Sequence, residues 1–153
     1  MSYTGQILPA NKAWLGSLPV GNRYTYGIAG EKFFRKIKDE GKFYGTNCPK
    51  CNHLYVPAVL YCERCFSELT EWVDVGIEGE VHSYTFLYVD LDGNRVDVPL
   101  VVAFVKIGDG GIIHLINEAS MEEIKIGMKV VAVIKPISER IGSITDILYF
   151  KPI

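Results

Sequence analysis

The sequence lacks most of the features that mark secreted, membrane-spanning and polyanion-binding proteins. Its 16 basic residues are outnumbered by 18 acidic ones, and a net charge of −2 argues against a nucleic-acid-binding surface. No run approaches the roughly 18 consecutive apolar residues that a membrane-spanning helix needs. The first six residues lack the basic and apolar regions of a secretory signal. We therefore expect a cytoplasmic protein with no membrane partner.

Internal repeats and low-complexity tracts are also absent, which excludes a repeat array. Hydrophobic residues make up 48% of the chain and charged residues 22%, values that are typical of a globular protein with a true interior. A chain of 153 residues forms one ordinary domain or two small units that share a core.

Cysteine is scarce, and its placement is the most informative feature of the sequence. All four cysteines lie in two C-x-x-C pairs, Cys48 with Cys51 and Cys62 with Cys65. Two residues between thiolates allow a tight turn to direct both sulfurs at one point, and two such turns make a tetrahedral four-sulfur cage. This spacing predicts a zinc site. We expect a structural site, because four cysteines fill the position that a catalytic zinc keeps open.

Other interpretations of the cysteines are weaker. Disulfides need an oxidising compartment, and a thioredoxin-type redox pair explains one C-x-x-C but not two. Iron in a rubredoxin-like site uses the same ligands, and the thiolates alone do not distinguish it from zinc. His53 follows the first pair closely, but four cysteines leave it no coordination position, so we interpret it as a surface residue.

The first 28 residues show neither a helical nor a strand period. They nevertheless contain large apolar side chains, among them Leu8, Trp14, Leu15 and Leu18, which are unusual in a solvated tail. We expect this segment to cover either its own domain or a partner subunit.

Residues 30–40 have the pattern of a short amphipathic helix. Phe33, Phe34 and Ile37 share one stripe, and Gly41 is placed to end the helix. The predicted zinc ribbon follows, with short strands at residues 43–45 and 53–57.

From residue 71 onward the pattern is that of β-strands. Residues 80–89 alternate, which predicts the odd-numbered side chains on one face and an aromatic row from His82 to Tyr88 on the other. Residues 100–107 and 112–116 are continuously apolar, which predicts burial on both faces. The remaining predicted elements are turns at 90–94 and 108–111, a short helix at 118–126 capped by Ser120, and strands at 129–134 and 147–150.

These elements predict a mainly β fold: a five-stranded OB-fold barrel preceded by a short α-helix and a four-cysteine zinc ribbon. An immunoglobulin-like sandwich needs about seven strands, which the sequence does not supply. We divide the chain into an irregular segment at 1–28, the helix and zinc ribbon at 29–70, and the barrel at 71–153.

The order of these motifs resembles a known family. Paired aromatics in the helix precede residues 41–43 and the two C-x-x-C pairs, and the barrel segments 79–85 and 126–130 complete the pattern. Over residues 29–151 or so, the chain resembles the OB-fold proteins with an N-terminal rubredoxin-like zinc ribbon, long classed as a domain of unknown function. It departs from the usual pattern at Asn52 and Phe66, where glycine is commoner.

The resemblance implies an accessory subunit and a thiolase-fold partner. In such systems, of which benzoylsuccinyl-CoA thiolase is one, the partner cleaves or forms a carbon–carbon bond on an acyl-CoA. The resemblance also implies that acyl-CoA is held or channelled where the two subunits meet.

The residues agree with a role that is not catalytic. Thiolase chemistry needs a free cysteine nucleophile with a base beside it, and the predicted metal site uses every cysteine of the chain. His82 and His114 fall within strand patterns, where a lone histidine is more often a barrel residue than a base. We therefore predict no catalytic residue on this chain.

Two alternatives remain open. A single-stranded nucleic-acid module would use the aromatic row from His82 to Tyr88 for stacking, although the sequence shows no clustered Lys/Arg groove. A free-standing acyl-CoA carrier would need a basic site for the CoA phosphates, for which the candidates are scattered: Lys125, Lys129, Lys135 and Arg140.

Overall fold

The structure, a computed structural model, describes Gly21 and residues 25–89 and 94–153. A helix, α1 (Gly27–Glu40), is followed by a sheet of three short strands and then by a five-stranded barrel. The sheet consists of β1 (Phe43–Cys48), β2 (His53–Tyr55) and β3 (Glu71–Gly76), in the order β2-β1-β3. The barrel strands are β4 (Glu78–Val89), β5 (Arg95–Ile107), β6 (Gly110–Ile116), β7 (Lys129–Ile134) and β8 (Ile147–Pro152).

The barrel closes in the order β4-β5-β6-β8-β7. A mainly β fold with one helix, a cysteine-bearing ribbon and a five-stranded OB-fold barrel is therefore confirmed. Within the described ranges, none of the helices has the length and apolarity that crossing a membrane requires. The predicted turn at 90–94 falls largely on residues 90–93, and most of the predicted N-terminal segment falls on residues 1–20 and 22–24; both lie outside the described residues.

Helix α1 begins three residues earlier than predicted and ends at Gly41 as predicted. Gly41 takes a left-handed conformation (φ 66°), and its N–H donates to the Ile37 carbonyl at 3.0 Å, which closes the last turn. Phe33 and Ile37 are buried. The ring of Phe33 stacks on that of Phe43 at 6.2 Å, and Phe43 contacts Phe150 in turn at 6.1 Å, so helix, ribbon and barrel share one apolar core.

Strand β3 joins the ribbon sheet. Its residues pair with β1, with Tyr44 opposite Asp74 and Thr46 opposite Trp72, whereas the sequence pattern groups residues 71–75 with the barrel. Ribbon and barrel also meet at the β5–β6 turn, where the Gly111 N–H donates to the Val56 carbonyl at 2.8 Å. A Cβ at Gly110 would lie 2.2 Å from that same carbonyl oxygen, so the close approach requires glycine there. The division at residues 70 and 71 stays a prediction.

Strand β4 does not alternate strictly, because a β-bulge lies at His82. Val81 is opposite Val105, but Ser83 is opposite Phe104 and Tyr84 is opposite Ala103. The extra residue reverses the inward and outward positions beyond the bulge. Tyr84 and Phe86 therefore share the inner face with Val81. Residues 83–87 alternate as predicted, but the predicted grouping of Val81 with Ser83, Thr85 and Leu87 on one face is wrong.

A further prediction for the barrel is wrong. Residues 118–126 form no helix: Glu118 has φ 58°, and one turn follows in which the Glu123 N–H donates to the Ser120 carbonyl at 3.1 Å. The Glu123 carboxylate accepts from the N–H and hydroxyl of Ser120, which completes a local turn that is not continued. The apolar strands β5 and β6 are covered on one face only by the described residues, since Leu100 and Ile113 are 45% and 68% exposed.

Candidate metal centre

The four cysteines come together at the end of the ribbon. The Sγ atoms of Cys48, Cys51, Cys62 and Cys65 all lie within 4.8 Å of one another. Cys48 and Cys62 are fully buried, and the other two are half-buried. Among the described residues, no other group of three or more histidine, cysteine or acidic side chains has the geometry to hold a metal ion.

The donor set fits a tetrahedral zinc or iron ion. Bonds of about 2.3 Å from zinc to sulfur place the sulfurs of a tetrahedron about 3.8 Å apart. The Sγ atoms of Cys48 and Cys65 are 3.6 Å apart, close to that value. The same separation is too long for a disulfide, whose sulfurs lie about 2.05 Å apart. The four cysteines are thus positioned to bind a metal ion.

Each cysteine pair lies on a turn that a left-handed residue completes. Asn52 follows the first pair with φ 49°, and Phe66 follows the second with φ 57°. Asparagine adopts this conformation readily, whereas phenylalanine rarely does. The second turn is held by the Phe66 N–H, which donates to the Cys62 carbonyl at 2.8 Å, and by the Cys62 N–H, which donates to the Ser67 carbonyl at 2.9 Å.

Two hydroxyl groups act on the sulfurs, and the sequence analysis missed both. The Tyr55 hydroxyl lies 3.3 Å from Cys62 Sγ, and this hydrogen bond lowers the pKa of Cys62 to about 6. The Ser67 hydroxyl lies 3.4 Å from Cys65 Sγ and, with the Ser67 main chain, lowers the pKa of Cys65. The one signal for Tyr55 in the sequence is its place four residues after Cys51 in a short strand.

These contacts favour a mixture of thiolates and thiols before metal binds. The hydrogen bond with Cys65, followed by burial, raises the pKa of Cys51 to about 12, so Cys51 keeps its proton while Cys62 ionises near neutral pH. Metal ligands must be deprotonated, so an ion that binds here displaces protons. Its affinity is therefore expected to fall as the pH is lowered.

His53 is not the surface residue that we predicted. Its side chain is only 17% exposed, with Nδ1 3.5 Å from a carboxylate oxygen of Asp109. The ring packs edge-on against Tyr55 at 4.5 Å. Asp109 also accepts the Leu54 N–H at 2.9 Å, so His53 lies where the β5–β6 turn crosses the ribbon. That contact joins residues far apart in sequence.

The other candidate residues are dispersed. The bulge separates the aromatic row, since the His82 ring packs against Phe104 while Tyr84 and Phe86 contact each other on the inner face. Lys129 forms an ion pair with Glu80 at 2.7 Å. Arg140 donates to the main-chain carbonyls of Lys135 and Lys38 and so serves the fold. Neither a stacking row nor a convergent phosphate site is formed by these residues.

His114 is half-buried inside the barrel, with its ring edge-on to Phe150 at 6.1 Å. Burial lowers its pKa. Its Nδ1 atom has no hydrogen-bond partner among the described residues, so the expectation of a satisfied barrel histidine holds for only part of the ring.

Comparisons with known proteins match the order of the two modules. The ChsH2 rubredoxin-like zinc ribbon domain matches residues 35–71, and the ChsH2 C-terminal OB-fold domain matches residues 72–135. A DUF35 domain-containing scaffold protein from Methanothermobacter thermautotrophicus is 26% identical over 123 residues, which cover 78% of this chain and 92% of the relative.

Solved structures share the fold. A DUF35-family protein of unknown function from Sulfolobus solfataricus is 32% identical, with a TM-score of 0.60, over 70% of this chain and 78% of that one. A chain of the structure described as Ltp2-ChsH2(DUF35) aldolase is 22% identical, also with a TM-score of 0.60, over 85% of this chain and 98% of that one. At that identity the second likeness shows the fold alone.

Proposed function

Since the chain belongs to the DUF35 family, with a ChsH2-type zinc ribbon and OB-fold domain, we propose that it is a zinc-binding accessory subunit without catalytic residues. It assembles with a thiolase-fold enzyme and supports thiolysis or condensation of an acyl-CoA, in degradation of aromatic or other acyl-CoA compounds. The name "scaffold protein" given to the relative from Methanothermobacter thermautotrophicus supports a role in assembly.

The observation that carries this proposal is that all four thiols of the chain lie together in one candidate metal site. The sequence has four cysteines, and their sulfurs converge on one point. Acyl transfer of the thiolase type needs a cysteine that is free to be acylated and a base beside it. We infer that the nucleophile belongs to the partner, and that acyl-CoA is contacted where the two subunits meet.

The metal's proposed role is to hold the ribbon together. Around the cysteines, the buried residues of the ribbon are few: Tyr55 and Leu69 join Cys48 and Cys62 in a small separate cluster. A cluster of that size buries too little apolar surface to hold two turns in place, and a structural zinc supplies the missing folding free energy. Zinc bound by Cys48, Cys51, Cys62 and Cys65 fits this role.

The test is co-expression of the full-length chain with thiolase-fold proteins of its own organism. We expect a stable complex, about one zinc per copy of this chain by elemental analysis, and acyl-CoA thiolysis by the complex. The chain alone is expected to give no thiolysis, because it has no free thiol. Failure to retain any thiolase-fold protein, or robust turnover by the isolated chain, would contradict the proposal. An iron content in place of zinc would correct the metal only.

A further inference from the structure

One buried tyrosine reaches the four sulfurs from the strand that lies between the two cysteine pairs. Tyr55 ends β2, lies opposite Thr46 in the ribbon sheet and is 8% exposed. Its hydroxyl oxygen is 3.3 Å from Cys62 Sγ, and Cys62 is fully buried. Water is excluded from that sulfur, so the tyrosine hydroxyl is the side-chain hydroxyl in contact with it.

The direction of this hydrogen bond follows from the other contact of the Tyr55 oxygen. The Glu63 N–H donates to that oxygen at 3.1 Å, which uses only its capacity as an acceptor. A tyrosine hydroxyl has one proton to donate, and a metal-bound cysteine is a thiolate without a proton of its own. The Tyr55 hydroxyl therefore donates to Cys62 Sγ when a metal ion is bound.

The ring of Tyr55 is also held by its neighbours. The His53 ring packs edge-on against it at 4.5 Å, and His53 Nδ1 lies 3.5 Å from a carboxylate oxygen of Asp109 in the turn between β5 and β6. Asp109 also accepts the Leu54 N–H at 2.9 Å. The barrel turn thus fixes the strand that carries Tyr55. A donor that is already fixed loses little conformational entropy when it binds a sulfur.

The other cysteine of the second pair has a hydroxyl neighbour in a wetter place. Ser67 Oγ lies 3.4 Å from Cys65 Sγ, and both residues are half-buried. Water can replace a serine hydroxyl at a half-buried sulfur, because solvent already reaches it. The same replacement is not open to the fully buried Cys62. We therefore expect the Tyr55 contact to matter more than the Ser67 contact.

Hydrogen bonds to a metal-bound thiolate orient the ligand and disperse its negative charge. Four thiolates around a divalent ion carry a net negative charge, and burial of that charge needs donors. Loss of one such outer contact typically lowers metal affinity about 10–100-fold. The main-chain N–H groups of Arg64 and Cys65 also act on Cys62, but they belong to the cysteine turn itself. Tyr55 contributes its donor from a different element of the ribbon.

We propose that Tyr55 is a positioning residue of the metal centre, whose hydroxyl holds Cys62 in its coordinating orientation and slows loss of the metal. Tyr55 acts through Cys62 and does not itself bind the ion. The inference rests on the metal-binding role in the proposed function, and it is independent of the partner enzyme.

The test removes the hydroxyl and keeps the ring. Tyr55→Phe is compared with Tyr61→Phe, a matched control that removes a hydroxyl next to Cys62 in the sequence from a side chain 59% exposed. The metal-free full-length chain is titrated with zinc in competition with a chromophoric chelator, and zinc transfer to excess chelator is timed. We expect Tyr55→Phe to bind zinc at least about tenfold more weakly and to release it faster, and Tyr61→Phe to match the wild type.

A spectroscopic measurement separates the hydrogen bond from the packing of the ring. In the cobalt-loaded protein, the sulfur-to-cobalt charge-transfer bands depend on the electron density of the thiolates. Removal of a donor raises that density and shifts the bands to longer wavelength. We expect this shift in Tyr55→Phe and its absence in Tyr61→Phe. Excess cobalt keeps the variant loaded even though its affinity is lower.

The outcomes separate this inference from the metal-binding role. Unchanged zinc affinity in Tyr55→Phe overturns the inference and leaves the metal site standing. Weaker binding with unchanged cobalt bands also overturns it, because packing of the ring, and not its hydroxyl, would then retain the metal. If the wild type binds neither zinc nor cobalt, the metal-binding role in the proposed function fails together with the inference.

Discussion

At the scale of single residues, Phe66 has a strained backbone conformation in the turn that follows the second cysteine pair. Its φ of 57° lies in the left-handed region, and its side chain is 81% exposed, so no packing compensates for the strain. A bulky residue in this conformation costs about 1–2 kcal/mol, and glycine relieves that cost at an entropic expense of about 0.5–1 kcal/mol. The position after the second cysteine therefore favours glycine.

We predict that Phe66→Gly raises the free energy of unfolding by about 0.5–1 kcal/mol, because relief of strain exceeds the added freedom of the unfolded chain. Urea unfolding of the zinc-loaded protein measures the change. Asn52→Gly is the matched control and is expected to give a smaller gain, because asparagine tolerates the same conformation. A loss of stability in Phe66→Gly would mean that the ring makes a contact that its exposure does not indicate.

At the scale of elements, the loop of residues 137–146 is organised by one buried carboxylate. Asp146 is fully buried, and its side chain accepts main-chain N–H groups from Ile141 (3.0 Å), Gly142 (2.7 Å) and Ser143 (3.2 Å). Burial opposes ionisation of Asp146, but these donors outweigh it and hold the pKa of the carboxyl below its ordinary value of 3.8. The loop also packs on α1, since Arg140 donates to the Lys38 carbonyl at 3.3 Å.

We predict that Asp146→Asn lowers the free energy of unfolding by about 2 kcal/mol at pH 7, because an amide replaces an ionised acceptor of several buried hydrogen bonds. The folded-state pKa is lowered, so the stabilisation is present above the unfolded pKa of about 3.8 and is lost as the pH falls through the folded value. Urea titrations of wild type and variant should therefore converge below about pH 3.8. Loss of the metal at low pH lowers the free energy of unfolding of both proteins, so it cancels in the difference between their free energies of unfolding.

The exposed Asp39 of α1 provides the control for that experiment. Asp39→Asn should change stability little at any pH, because surface charges contribute weakly. A gap between wild type and Asp146→Asn that stays constant from pH 7 to pH 3 would show that shape, and not charge, organises the loop.

The whole molecule combines a small ribbon cluster with a larger barrel core. The ribbon cluster holds Tyr55 and Leu69 beside the cysteines, whereas the main core runs from Phe33 and Phe43 through the barrel to Phe150. The two parts differ in what stabilises them, because only the ribbon cluster is built around the cysteine sulfurs. Removal of the metal should therefore destabilise the ribbon more than it destabilises the barrel.

We predict that chelation exposes the amides of residues 46–70 to hydrogen exchange while strands β5 to β8 stay protected, and that Tm falls. The ribbon has too little apolar burial to persist without the metal, and the barrel core does not depend on it. Exchange measured by mass spectrometry before and after chelation tests this, with Cys62→Ser as a variant that mimics the metal-free state. Equal exposure of ribbon and barrel would show that the shared core makes them one cooperative unit.

How much of this molecule was predictable depended on the range of the interactions. The C-x-x-C spacing predicted the four-sulfur site, and Gly41 predicted the end of α1, because each C-x-x-C pair and the helix end involve residues only a few positions apart. The bulge at His82 was not predictable, since a period of two in the sequence carries no mark of an inserted residue until the register with β5 is known. Tyr55 and Ser67 were missed for a related reason: hydroxyl contacts with sulfur depend on how the ribbon closes.

The sequence by itself determined the number and type of the side chains that are positioned to bind a metal ion, the β character of the chain and the order of its modules, because these follow from residue type and short-range spacing. Only the tertiary structure decided which side of β4 faces the core, that residues 118–126 turn instead of forming a helix, and that the outer side of β5 and β6 is left uncovered by the described residues. Those outcomes depend on strand pairing between residues distant in sequence, which local patterns do not encode.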